Sequence, residues 1–149
     1  MKRFRFDLEK LLQLRSYAEK EAELALARAI GEVAALEARI RSIAEERISI
    51  ASSRFSPGRS SAEIRNSELY LIRLDRIKDA LLEAAAKAGL AAAAARNAFM
   101  EAKRERMVLD KLRAKRLAEH RKDSLVEETR ILDEVSSGAP ARRLVSDGI

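Results

Sequence analysis

The chain has 149 residues, of which 36% are charged and 4% aromatic, and its formal net charge is +6. The length fits one domain, but a composition dominated by Ala, Leu, Glu, Lys and Arg is typical of long helices and coiled coils, not of an enzyme with a broad core. The chain contains no Cys, which excludes disulfides and thiolate metal sites and makes the cytosol the default compartment.

The N-terminal segment is basic but is not typical of an export signal. Charged Asp7, Glu9 and Lys10 follow Met1–Phe6 directly, where a signal peptide needs an uncharged apolar stretch. No run of 18 apolar residues occurs in the sequence, so we expect no membrane-spanning helix.

Apolar residues spaced three and four apart predict a first helix from about Asp7 to about Ser53. The series continues over six heptads, which is typical of a coiled-coil seam, the line of a and d positions that faces a partner helix. This seam comprises Leu8, Leu12, Arg15, Glu19, Ala22, Leu26, Ala29, Val33, Leu36, Ile40, Ile43, Arg47 and Ile50.

A turn is predicted at residues 54–60. Pro57-Gly58 is a turn dipeptide, and Pro140 is the only other proline. Ser60 and Glu63 form a capping-box pattern, in which each side chain satisfies a free amide of the first helical turn. The sequence therefore predicts an all-α fold, an antiparallel coiled-coil hairpin of two long helices.

A second helix is predicted from about residue 61 to about Val135, with residues 138–149 as a disordered tail after Gly138 and Pro140. If the numbers of facing residues sum to about 115, the second helix overhangs the first by roughly 25–30 residues, or about 40 Å. The predicted seam of this helix comprises Tyr70, Leu74, Ile77, Leu81, Ala84, Ala88, Ala91, Ala95, Ala98, Ala102, Glu105, Leu109, Leu112 and Arg116.

The stretch Glu101–Lys122 carries nine Lys or Arg against four Asp or Glu. Such a stretch forms a solvated helix face, or it binds an acidic protein partner or a nucleic-acid backbone. No aromatic residue lies between these charges to stack on bases, so we do not expect nucleic acid as a partner.

No residue pattern indicates catalysis, a cofactor site or a metal site. His120 is the only histidine and is expected to lie on the surface, since a metal site would need Cys or a second His. The glycines are scattered, and the carboxylates lie at helical spacing from Lys or Arg. We therefore expect a protein that is not an enzyme and holds no cofactor.

Two segments resemble the FliJ family, small cytosolic coiled-coil proteins of the bacterial flagellar type III export apparatus. The first helix opens as Phe4-x-Phe6-x-Leu8-x-x-Leu11-Leu12-x-x-Arg15-x-x-x-Glu19. The second segment reads Asn66-x-x-x-Tyr70-Leu71-x-x-Leu74-x-x-Ile77. The resemblance extends over nearly the whole chain, up to Ser136.

The resemblance implies a stalk similar to the two long helices of the rotary-ATPase gamma subunit. Its terminal end would insert into the hexameric ring of the export ATPase FliI, and the protein would also contact the cytosolic domain of the export gate protein FlhA and export chaperones. It implies a cytoplasmic protein, peripherally associated with the inner face of the cell membrane at the flagellar base and not inserted in the membrane.

Two partner-binding surfaces follow from the resemblance. The gate surface, near the turn, comprises Arg39, Ile43, Glu46, Ile50, Tyr70, Leu74, Ile77 and Leu81. The ring surface, at the terminal end, comprises Phe4, Phe6, Arg104, Lys111, Arg113, Lys115 and Arg116. The aliphatic members of the gate surface are also seam residues, and Phe4 and Phe6 are expected to staple the first helix onto the Phe99–Met107 region.

Three alternatives stay open. Apolar residues outside the seam (Leu14, Ile30 and Leu90) would fit a generic coiled-coil scaffold or chaperone that dimerises. A stalk of an injectisome secretion system has a similar pattern. A basic nucleic-acid binder acting through Glu101–Lys122 is the last alternative.

Overall fold

The computed structural model describes residues 3–146, with side chains described for residues 3–137. Two helices form the architecture, α1 (Glu9–Ser53) and α2 (Ser61–Ser146). No strand occurs within residues 3–146, so the predicted all-α class is confirmed. Two long helices joined by a seven-residue connection fit a coiled-coil hairpin.

Helix α1 begins two residues later than the sequence predicts and ends where predicted. The backbone amide of Glu9 donates to the Phe6 carbonyl at 3.1 Å, and a Glu in the first turn complements the positive end of the helix dipole. At the other end, the hydroxyls of Ser52 and Ser53 donate to the carbonyls of Ser49 and Ile50 at 2.9 and 3.3 Å. Both are bonds from a serine hydroxyl to the carbonyl three residues earlier, a local alternative to helical bonding that serine favours near helix ends.

The predicted turn and capping box are both present. Gly58 has φ = 89°, in the left-handed region that a residue with a Cβ adopts only with strain. The Ser60 amide donates to Oε2 of Glu63 at 2.7 Å, and the Glu63 amide donates to Oγ of Ser60 at 3.3 Å. The two side chains therefore start α2 where the sequence predicts.

The chain divides into two compact units, and in the unit formed by residues 17–103 the predicted α1 seam is confirmed. Every seam residue of α1 in this unit is half-buried, and Leu71 and Leu74, the best-buried of residues 3–137, lie on α2. Leu74 is 2% exposed and Leu71 is 7% exposed. The bulky half of the seam thus has the tightest packing, as expected.

The predicted α2 seam is correct at ten of its fourteen positions and wrong by one residue at the other four, Tyr70, Ala91, Ala98 and Arg116, where the next residue along the chain is buried or half-buried instead. Leu71 is buried while Tyr70 is 39% exposed, and Phe99 is half-buried while Ala98 is exposed. Phe buries more apolar area than Ala, and burying Leu in place of Tyr leaves the Tyr hydroxyl accessible to water. The helix is therefore rotated so that Leu71 and Phe99 face α1.

In the unit formed by residues 1–16 and 104–149, half-buried positions continue along α2 past Arg116, where the predicted seam ends. Leu117 and His120 are both half-buried. His120 is therefore not the surface residue that the sequence suggested.

The predicted pairing of residue numbers is also wrong. The numbers of the paired residues sum to 122 for Arg47–Asp75 and for Glu9–Arg113 and to 120 for Arg15–Glu105, above the predicted 115, although the Glu46–Tyr70 pair sums to 116. The sequence could not fix this sum, because it depends on how the helices pack after the turn and not on the turn residues alone.

Helix α2 is assigned through Ser146, beyond the end predicted near Val135. The earlier end was predicted because a proline inside a helix removes one backbone hydrogen bond and costs about 3 kcal/mol, and Gly138 near it also disfavours a helix. Residues 147–149 of the predicted tail lie outside the described part of the chain, as do the side chains of residues 138–146.

Candidate partner-binding surfaces

Most of the gate surface is packing between the two helices. Leu74 is buried, and the other aliphatic members are half-buried in the seam: Ile43, Ile50, Ile77 and Leu81. Their apolar area is already buried between α1 and α2, so these side chains have little area left for a partner. Contacts with a partner would have to come from the other members of the gate surface.

Three polar members of the gate surface are accessible to a partner. Tyr70 is 39% exposed, and its hydroxyl donates to Oε1 of Glu46 at 2.6 Å. This bond to a carboxylate raises the pKa of Tyr70, because the phenolate would lose the bond and face a like charge. Arg39 is exposed on α1, and Glu46 is half-buried. The gate surface thus presents a Tyr–Glu pair and a guanidinium.

An ion pair that the sequence analysis did not assign lies in the same unit. Nε and Nη2 of Arg47 donate to the two carboxylate oxygens of Asp75 at 2.6 and 3.3 Å. These bonds lower the pKa of Asp75 below its ordinary value and raise that of Arg47. The sequence did contain a signal for this ion pair, since an Arg at a seam position needs a carboxylate on the opposite helix. Asp75 was not identified as that carboxylate because the predicted pairing of residue numbers was wrong.

Exposed apolar side chains near the turn were also missed. Leu69 and Ile72, one helical turn apart on α2, are 60% and 52% exposed. Phe55 in the turn is 65% exposed, with the Arg54 guanidinium 4.6 Å from its ring centroid. These residues offer more uncommitted apolar area than the seam members of the gate surface.

At the ring surface, Phe4 packs on His120 and not on the expected Phe99–Met107 region. The two ring centroids are 5.6 Å apart with an interplanar angle of 68°, an edge-to-face contact. The residue pairing explains the correction, since numbers summing to more than 120 place residue 4 near residue 120. Phe6 is also half-buried. The phenylalanines therefore hold the N-terminal segment against α2 of their own unit.

The basic members of the ring surface divide into paired and exposed residues. Nε of Arg113 donates to Oε2 of Glu9 at 3.0 Å, and Arg116 lies 3.5 Å from the Glu119 carboxylate. Lys111 and Lys115 are exposed and form no ion pair within the described residues. The ring surface is completed by Arg104, which is exposed and has a partner of its own.

The described residues hold no arrangement typical of a metal or membrane site. No group of three or more His, Cys, Asp or Glu side chains is placed to hold a metal ion within residues 3–137. No stretch of either helix in the described part of the chain is both long enough and apolar enough to cross a membrane.

A sequence profile described as "Flagellar FliJ protein" matches residues 4–144, nearly the whole chain. The searches of curated proteins and of solved structures found no match to this chain. Both the gate surface and the ring surface lie within the matched range.

Proposed function

The chain belongs to the flagellar FliJ protein family, and from this premise we propose that it is a non-enzymatic stalk that couples the export ATPase to the export gate. Family membership makes it a component of the flagellar protein export apparatus. The profile match over residues 4–144 is the observation that carries the proposal.

The ring surface is proposed to enter the central opening of the FliI hexamer. Lys111 and Lys115 support this, because exposed ammonium groups without a carboxylate partner in the described chain are free to meet carboxylates of a ring. Charge of this kind increases the rate and fixes the orientation of association more than it increases affinity.

An overhanging end of α2 is proposed to be the leading part of the stalk. Leu125, Leu132 and Val135 support the proposal, since they are 62%, 68% and 67% exposed and α2 remains helical past them. An exposed helical end beyond the Phe4–His120 contact presents a single helix to a narrow opening.

The gate surface is proposed to contact the cytosolic domain of FlhA. The accessible Arg39 and the Glu46–Tyr70 pair would supply polar contacts, and Leu69 and Ile72 would supply apolar area beside them. Export chaperones are proposed as further partners, and the protein is proposed to be cytoplasmic and peripherally associated with the membrane at the flagellar base.

The test of the ring proposal is ATP hydrolysis by the purified export ATPase with and without this chain. We expect the chain to promote hexamer assembly and raise hydrolysis, and Lys111→Glu with Lys115→Glu to remove most of the increase. Reversal of two other exposed basic residues, Lys20→Glu with Arg28→Glu, is the matched control and should leave it intact. No co-elution and no stimulation by the native chain would refute the proposal.

The gate proposal is tested by binding of the isolated FlhA cytosolic domain. Leu69→Ser with Ile72→Ser should weaken binding without loss of helix content, because both side chains are exposed. Leu90→Ser, at a 75% exposed position elsewhere on α2, is the control. Equal binding by both variants would place the FlhA contact elsewhere.

A further inference from the structure

A second heptad face of α2 is exposed to solvent. Its positions are three and four residues apart, so they lie on one side of the helix, and every one of them is exposed. We call this the outer face; it comprises Lys111, Lys115, Ala118, Lys122, Leu125, Thr129 and Leu132. The half-buried residues Leu109, Leu117 and His120 lie on the other side of the helix. The outer face is therefore separate from the packing of its own unit.

Two leucines make the outer face unlike an ordinary solvated helix surface. Leu125 and Leu132 are 62% and 68% exposed, and neighbouring Val126 is 69% exposed. Aliphatic side chains at heptad spacing on an exposed helix are typical of a face that a second helix covers.

The charge of α2 reverses along the segment that carries this face, from basic to acidic. Residues 101–122 carry nine basic and four acidic side chains, whereas residues 123–137 carry five acidic side chains and one basic, Arg130, which pairs with Glu134 at 3.3 Å. Lys122, Glu128 and Asp133 form no ion pair within the described residues. A basic block is thus followed directly by an acidic, apolar block on one helix.

A second copy of the same helix has the charges that complement this pattern when it runs antiparallel. We propose that two copies of this chain pair through their outer faces, with the basic block of each against the acidic block of the other. Because each copy contributes the same segment to the interface, the pairing is two-fold symmetric, and it closes at two copies without leaving a free outer face.

The heptad positions define the register of the pair. In antiparallel coiled coils a positions pack against d positions, which sets Leu125 opposite Lys122 and Leu132 opposite Lys115 of the other copy. The lysine stems cover the leucines while their ammonium groups reach water or a flanking carboxylate. Beside these layers, Arg121 of each copy lies next to Glu128 of the other, so symmetry gives two equivalent ion pairs.

Pairing of this kind covers Lys111 and Lys115, which the proposed function assigns to the ring. The dimer would therefore be a reserve form that must dissociate before the stalk enters an ATPase ring. This consequence rests on the proposed function, whereas the pairing itself does not.

The test is sedimentation equilibrium of the full chain over a wide concentration range, at low and high salt. We expect the mass to rise from one chain to two with concentration at low salt, and to return to one chain at high salt, since exposed ion pairs are screened. A single-chain mass at every concentration would overturn the pairing and would leave the ATPase assay unaffected.

A charge exchange tests the register itself. Glu128→Arg and Arg121→Glu each place like charges together in a homodimer, and each should weaken dimerisation about tenfold. An equimolar mixture of the two variants restores both ion pairs and should dimerise as the native chain does. Arg28→Glu, at an exposed position on α1, is the control for net charge. If the mixture stays as weak as the separate variants, or if neither variant weakens dimerisation, the proposed pairing is wrong.

Discussion

At the scale of single residues, two arginines at seam positions each pair with a carboxylate on the other helix and so mark which residues of α1 and α2 face each other. Arg15 pairs with Glu105 in one unit and Arg47 pairs with Asp75 in the other. Their side chains are 42% and 43% exposed, so each ion pair contributes little net stability. Their role is alignment, because a shift of one heptad would leave a guanidinium in the seam opposite an apolar residue.

The Arg47–Asp75 pair makes stability depend on pH. The pKa of Asp75 is lowered from its ordinary value of 3.8, chiefly by the hydrogen bond from Arg47. A carboxyl group with a lowered pKa in the folded state contributes stability that is present above its ordinary pKa and is lost as pH falls through the folded value.

We therefore expect the thermal unfolding temperature to fall as pH is lowered from about 5. Asp75→Asn should be less stable than the native chain at neutral pH and should show a shallower fall in acid, because its side chain does not titrate. Thermal unfolding followed by circular dichroism at several pH values checks this. Parallel curves for both proteins would show that Asp75 does not contribute.

Leu74 should be the apolar position most sensitive to substitution among residues 3–137. Since its side chain is 2% exposed, Leu74→Ala removes buried methyl groups and leaves a cavity, at a cost of about 2–5 kcal/mol. Leu90→Ala, at 75% exposure on the same helix, should change the free energy of unfolding by less than about 0.5 kcal/mol. Urea denaturation of the two variants measures the difference, and equal effects would contradict the burial at residue 74.

At the scale of helices, local sequence signals predicted the boundaries that depend on neighbouring residues. Pro57-Gly58 and the Ser60–Glu63 capping box set the turn and the start of α2, and both are present in the structure. The rotation of α2 was not predictable in the same way. Tyr70 and Leu71 both continue a heptad pattern, and only the packing against α1 decides which of them is buried.

Two glycines in different backbone environments should respond oppositely to alanine. Gly58→Ala places a Cβ at φ = 89° and should destabilise the protein by roughly 1–2 kcal/mol. Gly89 lies inside α2, and an added Cβ would meet nothing within 4 Å beyond the neighbouring backbone of its own helix, so Gly89→Ala should stabilise the protein by about 0.5–1 kcal/mol. Thermal unfolding of both variants checks the signs. The same sign for both would mean that backbone strain at Gly58 does not decide the effect.

At the scale of the whole molecule, the sequence predicted the fold class and the family but not which side chains are available to partners. Ile43 and Leu81 fit both a seam and a binding surface, because one apolar face serves either purpose until the neighbouring helix is known. The Phe4–His120 contact joins residues more than a hundred positions apart, so it depends on the pairing of facing residues, which no local signal determines.

Burial is uneven along α2, and we expect the protection of its amides to follow it. Leu71 and Leu74 are the only residues classed as buried among those described, whereas residues 129–137 are all exposed. A helix without a packed face is marginal in water, because forming its first turn is unfavourable and no tertiary contact offsets that cost. Native-state hydrogen exchange should therefore be slowest around residues 71–74 and fastest, within the described part of α2, at residues 129–137. If outer-face pairing protects the acidic block, exchange at residues 125–132 should slow as protein concentration rises, while exchange at residues 71–74 should not change. Uniform protection along α2 at low concentration would show that burial does not control the stability of this helix.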